Sequence, residues 1–180
     1  TTGAYVSKVK LTGYNGKNKL FKAKASNDGS IVTVGAGVSA AIASGAFSGA
    51  YAGSYGKNDT KAVVDGDSSI ESAGSIEVSA KDNSSINTAS GSIEVAGSKD
   101  VAVTVGGAVA NTQLGRHVQA QLNDTTLNLT NVKNINVLAN DKSSTLNLAL
   151  GGGVAIGGEM AGVAAQGSVA VLSADGVTQA

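Results

Sequence analysis

Polar and apolar residues alternate along this chain in short phrases that come back. Ile76-Glu-Val-Ser-Ala-Lys-Asp-Asn-Ser-Ser85 is followed by Ile135-Asn-Val-Leu-Ala-Asn-Asp-Lys-Ser-Ser144 and preceded by a looser copy, Phe21-Lys-Ala-Lys-Ala-Ser-Asn-Asp-Gly-Ser30. In each copy three apolar positions fall two apart (Phe21, Ala23, Ala25; Ile76, Val78, Ala80; Ile135, Val137, Ala139). A period of two is that of a strand with one buried face. The last alanine runs into Asn, Asp, Ser, Lys and Gly, whose short side chains bond the local backbone or tolerate left-handed conformations, so the strand is expected to turn at the same point each time.

The phrase ends at Ala25, Ala80 and Ala139, at two nearly equal intervals. A second anchor, Gly49-Ala-Tyr-Ala, Gly107-Ala-Val-Ala and Gly167-Ser-Val-Ala, recurs at almost the same intervals, and Ala62, Ala120 and Ala180 lie at one fixed step beyond its glycines. Three anchors in one order and nearly one spacing define three copies of a unit about 58 residues long, at 20–62, 63–120 and 121–180. Residues 1–20 are expected to be atypical or capping, and the finish at the Ala180 anchor suggests a cut piece. The steps from Ala62 to Ala80 and from Ala120 to Ala139 are shorter, close to a third of a unit. Taken as one turn of a coil, that step predicts three turns per unit and about nine in all, a rod on the order of 40 Å long. Asp65-Gly66-Asp67 and Asn123-Asp124 mark bends between the strands.

The rest of each unit is nearly free of charge and dense in Gly and Ala, as in 34–53 and 148–172. As β-structure, Gly45, Phe47, Gly49, Tyr51, Gly53 and Tyr55 share one face, and Ala46, Ser48, Ala50, Ala52 and Ser54 share the other, which suits a narrow interior. As helix, Gly45, Gly49 and Gly53 form a small-residue zipper of the kind that packs membrane helices. Glycine costs an aqueous helix about 1 kcal/mol at each position, which favours the β reading. The expected class is all-β.

Composition narrows the field. The chain has 180 residues with 25 glycines, no proline, cysteine or tryptophan, and 3% aromatics, so small and β-branched side chains must do the packing. Charged residues are 14% and the formal net charge is zero, which gives nothing to steer nucleic acid. Half of the lysines lie at or before Lys24, and all the aromatics lie at or before Tyr55. Without cysteine there is no disulfide framework and no thiolate metal site. No basic region followed by an apolar run resembles a signal peptide, so an export signal would lie outside this sequence.

Candidate chemistry is sparse. His117, beside Arg116, is the single histidine and is expected at a solvated bend. Gly151-Gly-Gly153 lacks the Gly-Lys-Ser/Thr of a phosphate loop. Asp65, Asp67, Asp82, Asn83, Asn140 and Asp141 carry oxygen ligands suited to calcium but without a calcium-loop pattern, and they read as turn residues. Asn-x-Ser/Thr triplets begin at Asn58, Asn83, Asn123 and Asn128, weak evidence for glycosylation in so Asn-, Ser- and Thr-rich a chain. No catalytic, cofactor-binding or metal residues are assigned.

Val105-Gly-Gly-Ala-Val-Ala110, Ala120-Gln-Leu122, Asn123-Asp-Thr-Thr-Leu127 and Ile135-Asn-Val-Leu-Ala-Asn-Asp-Lys-Ser143 together resemble the repeats of very large bacterial surface proteins. These are the leukotoxin-like filamentous adhesins, related in style to two-partner-secretion exoproteins and autotransporter passengers. The resemblance covers residues 20–180 and rests on repeat style. It implies a right-handed parallel β-helix (β-solenoid), exported to the Gram-negative cell surface, that acts as stalk or adhesive fibre and carries no catalytic residues. Expected partners are neighbouring modules or other copies end to end, and a host-cell receptor, with any membrane anchor outside this segment. Two alternatives stand beside the stalk. One is a membrane-active toxin segment inserting 34–53 and 148–172, against which Glu159 inside the second span argues. The other is a self-assembling extracellular filament subunit.

Overall fold

A computed structural model describes residues 1–12, 20–42, 44–71, 73–127, 132–158 and 161–180. Among them are thirteen strands and no helix. Every strand pairing is parallel. The strands form four stacked walls. The long wall holds β1 (Thr2–Ser7), β5 (Gly45–Asp65), β9 (Val101–Leu122) and β13 (Ala161–Gln179). The end wall holds β2 (Lys10–Leu11), β6 (Ser68–Ile70) and β10 (Thr125–Leu127). The corner wall holds β3 (Leu20–Asn27), β7 (Ser75–Asp82) and β11 (Asn134–Asp141). The return wall holds β4 (Ser30–Ala41), β8 (Ser85–Ser98) and β12 (Ser144–Gly157).

The repeat anchors stack in register. Phe21, Ile76 and Ile135 are partners, as are Ala25, Ala80 and Ala139. Gly49, Gly107 and Gly167 form a third column. The turn length differs from expectation. Thr2 pairs with Thr60, Gly45 with Val103 and Ser75 with Asn134, so a strand meets its neighbour one whole unit later and nine short turns are not formed. The shorter step separates two walls of one turn: Ala62 lies on the long wall and Ala80 on the corner wall, and both point into the same core. Equal spacing of core alanines therefore counted walls.

One end of each turn is wide. There the long, end and corner walls enclose Ala62, Val64, Ile70, Ile76, Val78 and Val118, each at most 1% exposed. Three bends shape this end. Lys8, Asp67 and Asp124 occupy one corner of successive turns, all with positive φ, and Gly66 (φ 66°) precedes Asp67 there. Asp and Gly tolerate the left-handed region that such a sharp change of direction demands. At the next corner Gly29, Ser84 and Ser143 each donate a backbone N–H to the side-chain oxygen two positions back, on Asn27, Asp82 and Asp141. This Asx turn closes the corner wall once per turn, at the point the recurring phrase marks.

The other end is narrow. There the return wall lies directly on the first half of the long wall, as two layers separated by small residues, hydroxyls and the single buried carboxyl of Glu94. A side chain at Gly35 would overlap the carbonyl of Tyr51, and one at Gly37 the carbonyl of Gly49. The β reading of these glycine-rich stretches holds and the helical alternative does not, because alternate small residues let two sheets approach to backbone contact.

Candidate functional site

The narrow end is built inside out. Its interior is polar or small. Ser54 Oγ donates to Thr33 Oγ1, Thr88 Oγ1 to Ser54 Oγ and Thr112 Oγ1 to Thr88 Oγ1, each at 2.7 Å, so a chain of hydroxyls crosses between the layers and climbs from turn to turn. Asn147, the register partner of Thr88 in the next turn, donates its amide to the carbonyls of Ala110 and Val171. Deeper in, Glu94 is wholly buried and accepts a hydrogen bond from Ser48 Oγ, in space left open by Gly106. The hydroxyls of Ser90, Ser92 and Thr104 are buried beside it without protein partners among the described residues.

The exterior is apolar on both sides. On the return wall Val38, Leu150 and Ile156 are 78%, 60% and 63% exposed. On the long wall Phe47, Tyr51 and Tyr55 are exposed at 65–72%, beside Val105 and Val109 of the next turn. The rings of Phe47 and Tyr51 lie against Gly45 and Gly53, where an added Cβ would come within 3.3 Å and 2.7 Å of them. Shallow grooves of about 340 Å³ (Tyr51, Tyr55, Asn111, Gln113) and 430 Å³ (Val38, Ile93, Leu150 and flanking glycines) mark the two faces.

Polarity switches within single strands. In β9, Ala102, Thr104 and Thr112 point inward and Val105 and Val109 outward, but farther along the strand Val118 and Ala120 are buried while His117, Gln119 and Gln121 face out. The switch falls where the opposing wall changes from the return wall to the corner wall.

The residues singled out from sequence are scattered. His117 lies within β9, half-exposed, with Nδ1 3.3 Å from Asp59 Oδ1, and not at a bend, because the bend residues are Asn123 and Asp124 after the strand ends. Asp59 also meets Lys61 at 3.2 Å. Gly151-Gly-Gly153 is strand in β12. Asp82 and Asp141 serve the Asx turns; Arg116 pairs with Asp141 at 3.5 Å, and Asn58 bonds Ser84 Oγ at 2.5 Å. Asp67 is itself left-handed at the corner, with Gly66 before it, and Asp65 ends the strand that leads in. Among the described residues no three His, Cys, Asp or Glu side chains are grouped to hold a metal ion. Asn83 donates to Asp28 at 2.6 Å, and this bond, with a second from Ser26, holds the Asp28 carboxyl below its ordinary value. Lys22, 3.0 Å from Glu77, does the same for that carboxyl. Tyr14, Lys17, Lys19, Asn128 and Glu159 lie outside the described residues.

On the long wall the outward face of Phe47, Tyr51 and Tyr55 follows the sequence division from the face of Ala46 to Ser54; the outward apolar face of the return wall is what sequence reading missed. The signal was present as alternation of Val or Leu with Ser, Thr and Gly, but alternation alone does not say which face is inside. The chain matches no protein-family model, no curated protein and no solved structure.

Proposed function

We propose that this chain is a stalk segment of a secreted or surface-attached bacterial fibre of the leukotoxin-like adhesin kind. Its work is mechanical display and extension, not catalysis. The coil is right-handed, as parallel crossover connections almost always are. Its partners are the adjoining modules of the same fibre, with a host-cell receptor engaged by another region. The observation that carries this reading is the in-register pairing of each strand with its counterpart one unit away, on all four walls. Such a unit adds length without changing cross-section, and its stability is a sum of nearest-neighbour terms.

The test is a polypeptide in which residues 63–120 are repeated head to tail in twelve extra copies. Each turn adds one strand spacing, about 4.8 Å, so the rod should lengthen by about 58 Å at constant width in solution scattering and electron micrographs. Separate beads, or a particle that grows in all directions, would reject the reading.

A further inference from the structure

The narrow end of each turn meets its surroundings with the polarity of a membrane strand. Over 32–40 and 45–55 in the first turn, and over the matching stretches of the next two, outward positions are Val, Ile, Leu, Ala, Gly, Phe and Tyr, with amides or Ser only near the base. No charged residue faces out in these stretches; the single ionisable side chain, Glu94, is sealed between the layers. Charges gather at the two ends. Lys99 and Asp100 sit at the tip, and Asp28, Lys57, Asp59, Arg116 and Lys142 at the base.

From the geometry we propose that this two-layered fin is a bilayer-inserting element, entering lipid tip first with its strands along the membrane normal. Three features select lipid over another occupant. A run of about ten uncharged residues spans about 33 Å, close to the roughly 30 Å of hydrocarbon that a bilayer presents. Both opposite faces are apolar, whereas a single protein partner covers one. The alternation of apolar-out with polar-in over about ten residues is what strands in lipid require. The wide end of the same turns, apolar within and polar without, is the internal control that stays in water.

Backbone groups must be paired in hydrocarbon, so the free edges of the fin have to be met by further turns or other copies. The inserted form is therefore an assembly. The pairing that continues the stalk also seals the fin.

The sequence has no cysteine, so single cysteines can be placed cleanly. Leu146→Cys, Leu148→Cys and Leu150→Cys lie on the outward face of β12, and Asn147→Cys and Ala149→Cys on its inward face. Each is labelled with an environment-sensitive dye, and the protein is mixed with phosphatidylcholine–phosphatidylglycerol vesicles carrying nitroxides on their acyl chains. The expected result is flotation with the vesicles, quenching several-fold stronger at the three outward positions than at the two inward ones, and a circular dichroism spectrum that stays β. Lys142→Cys, at the base, should remain unquenched. Absence of flotation, equal quenching at all positions, or lipid-independent shielding of the outward labels by a second copy would each overturn the proposal. Leu148→Asp with Leu150→Asp should abolish flotation while leaving the β spectrum; if that pair does not fold, the cysteine scan decides alone.

Discussion

Thr88 stands midway in the hydroxyl chain, donating to Ser54 and accepting from Thr112 at 2.7 Å, and is 1% exposed. Valine there keeps the shape, leaves the buried Thr112 hydroxyl without its acceptor and removes one of the two bonds of Ser54, so Thr88→Val should cost about 1–3 kcal/mol in denaturant unfolding. An outward Thr126→Val, on an exposed position, should cost little by comparison. Asp28 and Glu77 set the response to acid. Both carboxyls are held below their ordinary values, so each contributes stability above the unfolded-state pKa, and the contribution is lost as pH falls through the folded-state one. Thermal midpoints should stay level from neutral pH to about 5 and decline below about 4. Asn83→Ala should move the Asp28 titration, followed by NMR, back up toward the ordinary range. Asp28 is exposed and Glu77 partly so, so the accompanying change in stability should be small.

At the scale of elements, the long and return walls depend on glycine at chosen places. Gly35 and Gly37 face backbone carbonyls of the opposing layer, whereas Gly97 and Gly167 have open space where a Cβ would go. Gly35→Ala should destabilise by about 1–3 kcal/mol or more through overpacking. Gly167→Ala should be neutral or stabilise by a few tenths, since it narrows the unfolded ensemble at a compatible backbone position. Parallel measurement of the two by chemical unfolding checks the claim, and equal effects would mean that the layers are not in backbone contact. The strands themselves were legible in sequence. Phe21, Ile76 and Ile135 announced a buried strand face, and the Asn, Asp and Ser after each phrase announced the corner. Ala46 to Ser54 was legible as the small face of a narrow interior; its polar seam at Glu94 was not, because burial of that carboxyl depends on Ser48 and Gly106 arriving from the opposite wall.

At the scale of the molecule, the turn is one full repeat long, since Thr2 pairs with Thr60 and Ala62 with Ala120. Excising 63–120 removes one complete turn and leaves every wall able to pair with the next, so the product should keep a β spectrum with a lower melting temperature. Excising 63–80, one wall-to-wall interval, breaks the register of all four walls and should leave the chain unfolded. If both deletions behaved alike, the assignment of one turn per unit would fail. Among the described residues no helix is long and apolar enough to cross a membrane. The fin raises a separate question, that of strands.

Sequence alone determined the period, the strand class and the corners, since those are local matters: apolar alternation, Asx chemistry after each phrase, and glycine density too high for helix. It also restricted the chemistry, through a single histidine and no cysteine. Tertiary structure alone decided how much chain makes a turn and, on the return wall, which strand face looks inward. The spacing of Ala62 and Ala80 satisfies a short coil and a long one equally until partners are known, and only the register that sets Ala25 on Ala80 and Ala62 on Ala120 separates them. A strand's two faces are likewise equivalent until another wall covers one. At the wide end the wall opposite demanded Val and Ile inside, while at the narrow end two backbones too close for large side chains sent Val, Leu and Tyr outward.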